Sequence, residues 1–104
     1  MVDIAVPAHL IEARRTPLFD FESLPAALAK SHRTTVWAEL RVQSGSVRYV
    51  DLEGNARRDV RLEPGENAVI VPGVEHVVEL STDASFFVQF YREPDAPMVA
   101  ADLP

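Results

Sequence analysis

The chain has 104 residues, of which 10 are basic and 16 acidic, giving a formal net charge of −6 at pH 7, and it contains no cysteine. This length suits a single domain with one modest core, and the acidic balance argues against nucleic acid or an anionic membrane surface as a partner. Missing cysteine excludes disulfides and thiolate chemistry, while the lack of a membrane span and of a signal-peptide pattern makes us expect a cytoplasmic protein.

The N-terminal part of the chain is mixed in character. Residues 1–15 read as an extended arm that can hold one strand, and their apolar side chains could cover a sheet edge across a partner subunit. The segment SLPAALAKS, residues 23–31, offers Ser23 as an N-cap and Pro25 in the first turn. It therefore predicts one short helix.

From Thr34 onward the sequence is dominated by strand patterns separated by turn residues. Val36, Ala38, Leu40 and Val42 alternate with Trp37, Glu39 and Arg41, and Pro-Gly pairs occur at Pro64 and Pro72. The predicted strands are 34–42, 46–52, one within 57–66, 67–71, 75–81 and 85–92. The tail, residues 93–104, is rich in proline and aspartate and is expected to be irregular.

Many short strands at close spacing predict an all-β sandwich or small barrel. Such a fold turns its apolar faces inward and can leave a cavity at one end. The chain shows no internal repeat and no sign of a second domain, so we expect one domain with a core at about residues 16–92.

Two motifs carry a resemblance to the cupin superfamily. In PGENAVIVPGVEH, the order Gly65, Pro72, Gly73 and His76 is similar to the second cupin motif. The first motif usually reads His-x-His, four residues, Glu, five residues, Gly. The stretch HRTTVWAELRVQSG, residues 32–45, keeps that spacing with threonine in place of the second histidine.

The order of several further motifs resembles the tellurite-resistance-associated cupin family, which includes YeaR and the N-terminal domain of TehB. The matching stretches are TPLF (16–19), Leu24-Pro25, HRTTVW (32–37), EHVVEL (75–80) and FFVQFYR (86–92). The resemblance covers roughly residues 16–92 and implies a small jelly-roll barrel. The segment between His32 and Trp37 is shorter than is usual in the family, and Gln89 stands where the family commonly has glutamate.

This resemblance implies that His32 and His76 converge on one divalent metal, Zn, Ni or Fe, since neutral imidazole suits all three. Glu39 is the third ligand by motif spacing. The strand period disagrees, because Glu39 faces outward beside Arg41 if Leu40 faces the core. A bulge could reset the phase. We therefore expect a site built mainly from the two histidines, with Glu39 as an optional ligand, or else histidines that only hydrogen-bond in a polar pocket.

Four further side chains are candidates for the cavity wall. Thr34 is a weak ligand and is better suited to hydrogen-bond a metal-bound water or a substrate. Trp37, Gln89 and Tyr91 could line the cavity, although large aromatic residues on strands more often belong to the core. His9 lies in the arm and is expected to be exposed.

No substrate or catalytic residue follows from the sequence, and a barrel of this kind serves enzymes and non-enzymes alike. The first hypothesis is a metal- or small-molecule-binding module, linked by the family resemblance to tellurite or other stress responses. The second is a metal-dependent dioxygenase or isomerase. The third is a metal-free structural domain. In each case we expect a homodimer.

Overall fold

The computed structural model describes residues 4–25, 30–55 and 57–95. These residues form β-strands and contain no helix. The strands are β1 (Ile11–Arg15), β2 (Phe19–Asp20), β3 (Ala38–Ser44), β4 (Val47–Asp51), β5 (Asp59–Leu62), β6 (Asn67–Ile70), β7 (His76–Leu80) and β8 (Ser85–Arg92). The six strands predicted after Thr34 are confirmed, although the first of them begins at Ala38.

The strands make two antiparallel sheets. The first has the order β1-β8-β3-β6, with β2 also paired to β8, and the second has the order β5-β4-β7. No ladder within the described residues joins the edge strands of the two sheets. The all-β prediction is confirmed: of the sandwich and the small barrel that were predicted, the structure has two antiparallel sheets and does not close into a barrel.

The core lies between the sheets and follows the two-residue period of the strands. On β3, Ala38, Leu40 and Val42 are buried, and on β8 Phe86, Val88 and Phe90 are buried. Val47, Tyr49 and Val78 face them from the second sheet and belong to the same cluster. Each large apolar side chain buried in this way contributes about 1.5–3 kcal/mol to folding.

The first sheet passes directly into the second at the turn between β3 and β4. Gly45 lies in this turn with a φ of 62°, and a Cβ at that position would lie 2.6 Å from the backbone nitrogen of Ala84. The left-handed backbone and the close approach both require glycine. This crossing places the buried faces of β3 and β4 on one core.

The predicted helix over residues 23–31 is centred on residues 26–29, which lie outside the described part of the chain. Its described ends, residues 23–25 and 30–31, are not helical. Ser23 takes part in the turn after β2: its Oγ accepts a hydrogen bond from the Asp20 amide, and its own amide donates to Asp20 Oδ1. Within the described ranges, no helix could traverse a lipid bilayer.

Candidate functional site

His32 and His76 lie directly opposite each other. They form an isolated antiparallel bridge in which each backbone amide donates to the other residue's carbonyl at 2.8 Å. Opposed residues of such a pair project to the same side of the backbone. The ring centroids are accordingly 5.6 Å apart, with the rings nearly perpendicular. The structure thus brings together the two histidines selected from the sequence.

The turn at Pro72 and Gly73 positions this pair. The Gly73 amide donates to the Thr34 carbonyl at 2.9 Å, which ties the turn to the segment carrying His32. His76 follows as the first residue of β7 and pairs with Asp51 of β4. The Pro-Gly turn therefore delivers His76 to the interior at the edge of the second sheet.

His76 is buried, with 5% of its surface exposed. Its burial, reinforced by the nearby His32 ring, holds the pKa of the imidazole below its usual value against the opposing effect of the Val74 carbonyl. That carbonyl lies 3.2 Å from Nδ1 and can only accept, so Nδ1 carries the proton. A neutral His76 with a free lone pair on Nε2 follows.

Tyr49 supports the His76 ring from within the core. The two rings stack with centroids 5.3 Å apart and an interplanar angle of 21°. The Arg58 guanidinium lies 5.0 Å from the centre of the Tyr49 ring and is paired with Asp51, whose carboxylate it contacts at 2.7 Å. Burial is the main reason that the pKa of the Tyr49 hydroxyl is raised, so the hydroxyl stays protonated. This buried stack restricts the orientation of His76.

Both histidines line a cavity of about 320 Å³ between the sheets. Its polar wall consists of Arg14, Thr16, His32, Thr34 and His76. Its apolar wall consists of Pro17, Phe19, Pro25, Leu40, Ile70, Val78, Phe86, Val88 and Phe90. None of the described residues that line it carries a carboxylate. The cavity is therefore a mainly apolar space with one polar region.

Thr34 is the predicted pocket residue that the structure places on this wall. Its Oγ1 is buried and has no hydrogen-bond partner among the described residues. A buried hydroxyl without a partner is costly, by about 1–3 kcal/mol. Thr34 is consequently available to hydrogen-bond something held in the cavity.

Glu39 lies on the opposite face of β3 from the cavity. Its carboxylate accepts hydrogen bonds from Tyr91 and from Arg41, the latter at 2.7 Å. Burial opposes ionisation of Glu39, but these hydrogen bonds outweigh it and lower the pKa of the carboxyl. Within the described residues, no three His, Asp or Glu side chains are grouped so as to hold a metal ion. The position of Glu39 therefore agrees with the two-residue period of the strand and not with the motif spacing.

Gln89 and Tyr91 also lie away from the cavity, because β8 presents Phe86, Val88 and Phe90 to it. The Gln89 side chain is buried and accepts a hydrogen bond from Arg15 Nε at 3.0 Å. Trp37 is half-buried and is not part of the cavity wall. The sequence reasoning selected the wrong face of β8 for the wall.

Arg14 is a charged wall residue that the sequence reasoning missed. In the register of β1 and β8, Glu12 pairs with Tyr91 and Arg15 with Gln89, so Ala13 and Arg14 together oppose one residue. This β-bulge places Arg14 on the cavity and Arg15 on the outer face. Nothing in the segment IEARR distinguishes the two arginines, since the bulge depends on pairing with β8.

A family model for the TehB-like domain matches residues 14–88, a span that contains both histidines and Thr34. The chain belongs to the TehB-like domain family. The protein YeaR of Escherichia coli (strain K12), itself uncharacterized, is 30% identical over 108 residues, covering 94% of this chain and 91% of YeaR. YeaR of E. coli O157:H7 matches with the same values.

Two solved structures resemble this TehB-like domain. A crystal structure of an E. coli (strain K12) protein superposes with a TM-score of 0.77 at 28% identity, covering 95% of this chain and 96% of that one. The crystal structure of TehB from Haemophilus influenzae gives a TM-score of 0.73 at 23% identity over 85% of this chain. The chain spans 33% of that TehB, so this likeness shows the fold of one part of TehB.

Proposed function

We propose that this TehB-like domain is a cupin-type binding domain that holds one divalent metal, Zn, Ni or Fe, on His32 and His76 at the polar region of the cavity. The observation that carries the proposal is the opposed histidine pair, in which the Val74 carbonyl fixes the Nδ1 proton of His76 and leaves Nε2 free. A metal-binding histidine typically donates its other ring N–H to such a carbonyl.

The donor set fits a divalent ion in its chemistry. Neutral imidazole suits Zn, Ni and Fe, and the lowered pKa of His76 keeps that ring neutral at pH 7. Because Glu39 is paired with Arg41 and Tyr91, the proposal assigns no protein carboxylate to the site. A bound ion would act as a Lewis acid toward a ligand in the cavity. Thr34 would orient that ligand, and the apolar wall would exclude water from it.

The cupin assignment is supported by the spacing of the motifs around His32 and His76 and by the two antiparallel sheets. A role in tellurite or other stress responses is supported by membership of the TehB-like family. This support comes from likeness to one part of TehB and not to the whole protein, since the chain spans a third of TehB. The cytoplasmic location stays a prediction from the sequence.

Elemental analysis of the purified protein tests the metal site. We expect the wild type to carry Zn, Ni or Fe at up to one ion per chain, and His32→Ala and His76→Ala each to lose most of it. His9→Ala is the matched control, because His9 is exposed and pairs with Glu93 at 3.0 Å. Circular dichroism establishes that each variant is folded. Equal metal content in all four proteins would show that His32 and His76 do not hold the metal, and absence of metal from all four would favour the metal-free structural domain.

A further inference from the structure

We propose that the cavity binds a small carboxylic acid with an apolar body, and that the Arg14 guanidinium receives its carboxylate. This proposal rests on the proposed function, because it assigns a class of ligand to the same cavity. It does not require a bound metal. Three features of the structure carry it: the charge of the wall, the state of Arg14 and the bulge that places it there.

The wall is positive in a protein that is acidic overall. The chain has 16 acidic and 10 basic residues, yet the cavity wall formed by residues 4–25, 30–55 and 57–95 contains no acidic residue. Arg14 contributes a permanent positive charge to the wall. A wall whose described residues supply one fixed cation and no carboxylate is electrostatically suited to a monoanion.

Arg14 has no acidic partner among the described residues. Its Nε is buried and makes no hydrogen bond, while its guanidinium lies 5.5 Å from the centre of the Phe90 ring. Arg41 and Arg58, by contrast, each contact a carboxylate at 2.7 Å. The buried Nε of Arg14 is a donor without a partner, and a ligand carboxylate would satisfy it with a charge-assisted hydrogen bond.

The bulge in β1 is what turns the Arg14 side chain toward the cavity. Glu12 faces the outer surface, where it contacts Arg41 at 3.1 Å. Regular alternation from Glu12 would turn Arg14 to that same outer face. The extra residue shifts the alternation of side chains by one position and directs Arg14 to the cavity. Arg15 then lies with Gln89 on the other face of the sheet. Bulges commonly re-aim a side chain in this way beside binding sites.

The apolar part of the wall determines which kind of carboxylic acid fits the cavity. Most of the lining is aliphatic, aromatic or proline, and the volume of about 320 Å³ lies near the small end of ligand sites. An inorganic oxyanion would leave the apolar wall unused, and a divalent oxyanion would also carry more charge than one guanidinium compensates. A compact aromatic or branched carboxylate satisfies the guanidinium and fills the apolar space, with Thr34 available for a further hydrogen bond.

Isothermal titration calorimetry with benzoate on the chelator-treated protein tests the proposal, with benzamide as the uncharged probe of the same shape and hexanoate as a second acid. We expect both acids to bind the wild type and benzamide to bind at least about tenfold more weakly, the effect of one lost charge-assisted hydrogen bond. Arg14→Gln should weaken benzoate by a similar factor. Arg15→Gln removes the same charge from the outer face and should leave benzoate binding unchanged.

The proposal would be overturned by equal affinity for benzoate and benzamide, by unchanged benzoate binding in Arg14→Gln, or by no binding of either acid at about 10 mM, where even millimolar affinity is measurable. Arg14→Lys keeps the charge but loses the planar fork, so intermediate binding is expected if Arg14→Gln fails to fold. Benzoate binding that appears only after metal loading would assign the carboxylate to the metal and also overturn the role of Arg14. Benzoate binding by a protein that never takes up metal would contradict the metal site and leave the carboxylate site at Arg14 intact.

Discussion

Two sequence patterns predict different positions for the Glu39 side chain. Motif spacing makes it a metal ligand, whereas the two-residue period of the strand places it outside with Arg41. The register of β3 with β8 is regular from Ala38 to Val42, and its irregularity occurs only between Val42 and Ser44. No bulge therefore exists where Glu39 would need one to reach the cavity. Its carboxylate instead joins β3 to β8 through Arg41 and Tyr91.

We expect Glu39→Gln to lower the free energy of unfolding at pH 7 by about 1–2 kcal/mol, because a charge-assisted hydrogen bond to Arg41 is lost at a site that is 18% exposed. The pKa of Glu39 is lowered from an ordinary value of 4.5. Its stabilising effect is thus present above about pH 4.5 and is lost as the pH falls through the lower pKa of the folded state. Urea unfolding at several pH values should show the two proteins converging in acid.

The control for this substitution is Glu22→Gln, which removes an exposed charge from the turn after β2 and should change stability by less than about 0.5 kcal/mol. Metal content is the second measurement on the same variant. Glu39→Gln should retain metal at the wild-type level. A loss as large as that in His76→Ala would show that the carboxylate reaches the ion after all.

At the scale of elements, the turns determine how the two sheets meet. The β3–β4 turn passes the chain from one sheet to the other at Gly45, packed against the backbone of Ala84. The turn at Pro64-Gly65, between β5 and β6, also uses a left-handed glycine, with a φ of 87°, but a Cβ there would meet nothing within 4 Å. The two glycines share a backbone requirement and differ in the space around them.

Alanine substitution at these two positions separates the two requirements. We expect Gly65→Ala to cost about 1–2 kcal/mol, the usual strain of a left-handed alanine. Gly45→Ala should cost at least about 2 kcal/mol more, since its Cβ would overlap backbone atoms that cannot move aside. Urea unfolding of both variants measures the difference. Equal losses would mean that the contact with Ala84 relaxes without cost.

At the scale of the whole molecule, the N-terminal arm covers its own sheet. The arm residues Ile11–Arg15 form β1 and pair with β8 of the same chain, so this part of the arm is not available to cover a partner's edge. Exposed apolar surface remains beside β2, where Leu18 and Phe21 are each 56% exposed. Two such side chains next to a short strand are suited to pack against a second copy of the chain.

We expect a homodimer at micromolar concentration, measured by light scattering. The double substitution Leu18→Ser with Phe21→Ser should shift the protein toward the monomer, because it removes apolar area from the proposed contact. Leu52→Ser is the control, as Leu52 is also exposed but follows β4 on the second sheet. A wild-type monomer, or a dimer unaffected by the double substitution, would contradict this interface.

The sequence by itself determined the strands after Thr34, because alternation such as Ala38, Leu40 and Val42 is a local property that decides which face is buried. It also made His32 and His76 candidates, through the resemblance of the short motifs around them to the two cupin motifs. Only the tertiary structure decided that these histidines oppose each other, that β8 turns Phe90 and not Gln89 to the cavity, and that Arg14 lines it. Each of these depends on the register between strands distant in sequence. The bulge opposite Phe90 exists only when β1 pairs with β8, so no periodicity within IEARR could reveal it.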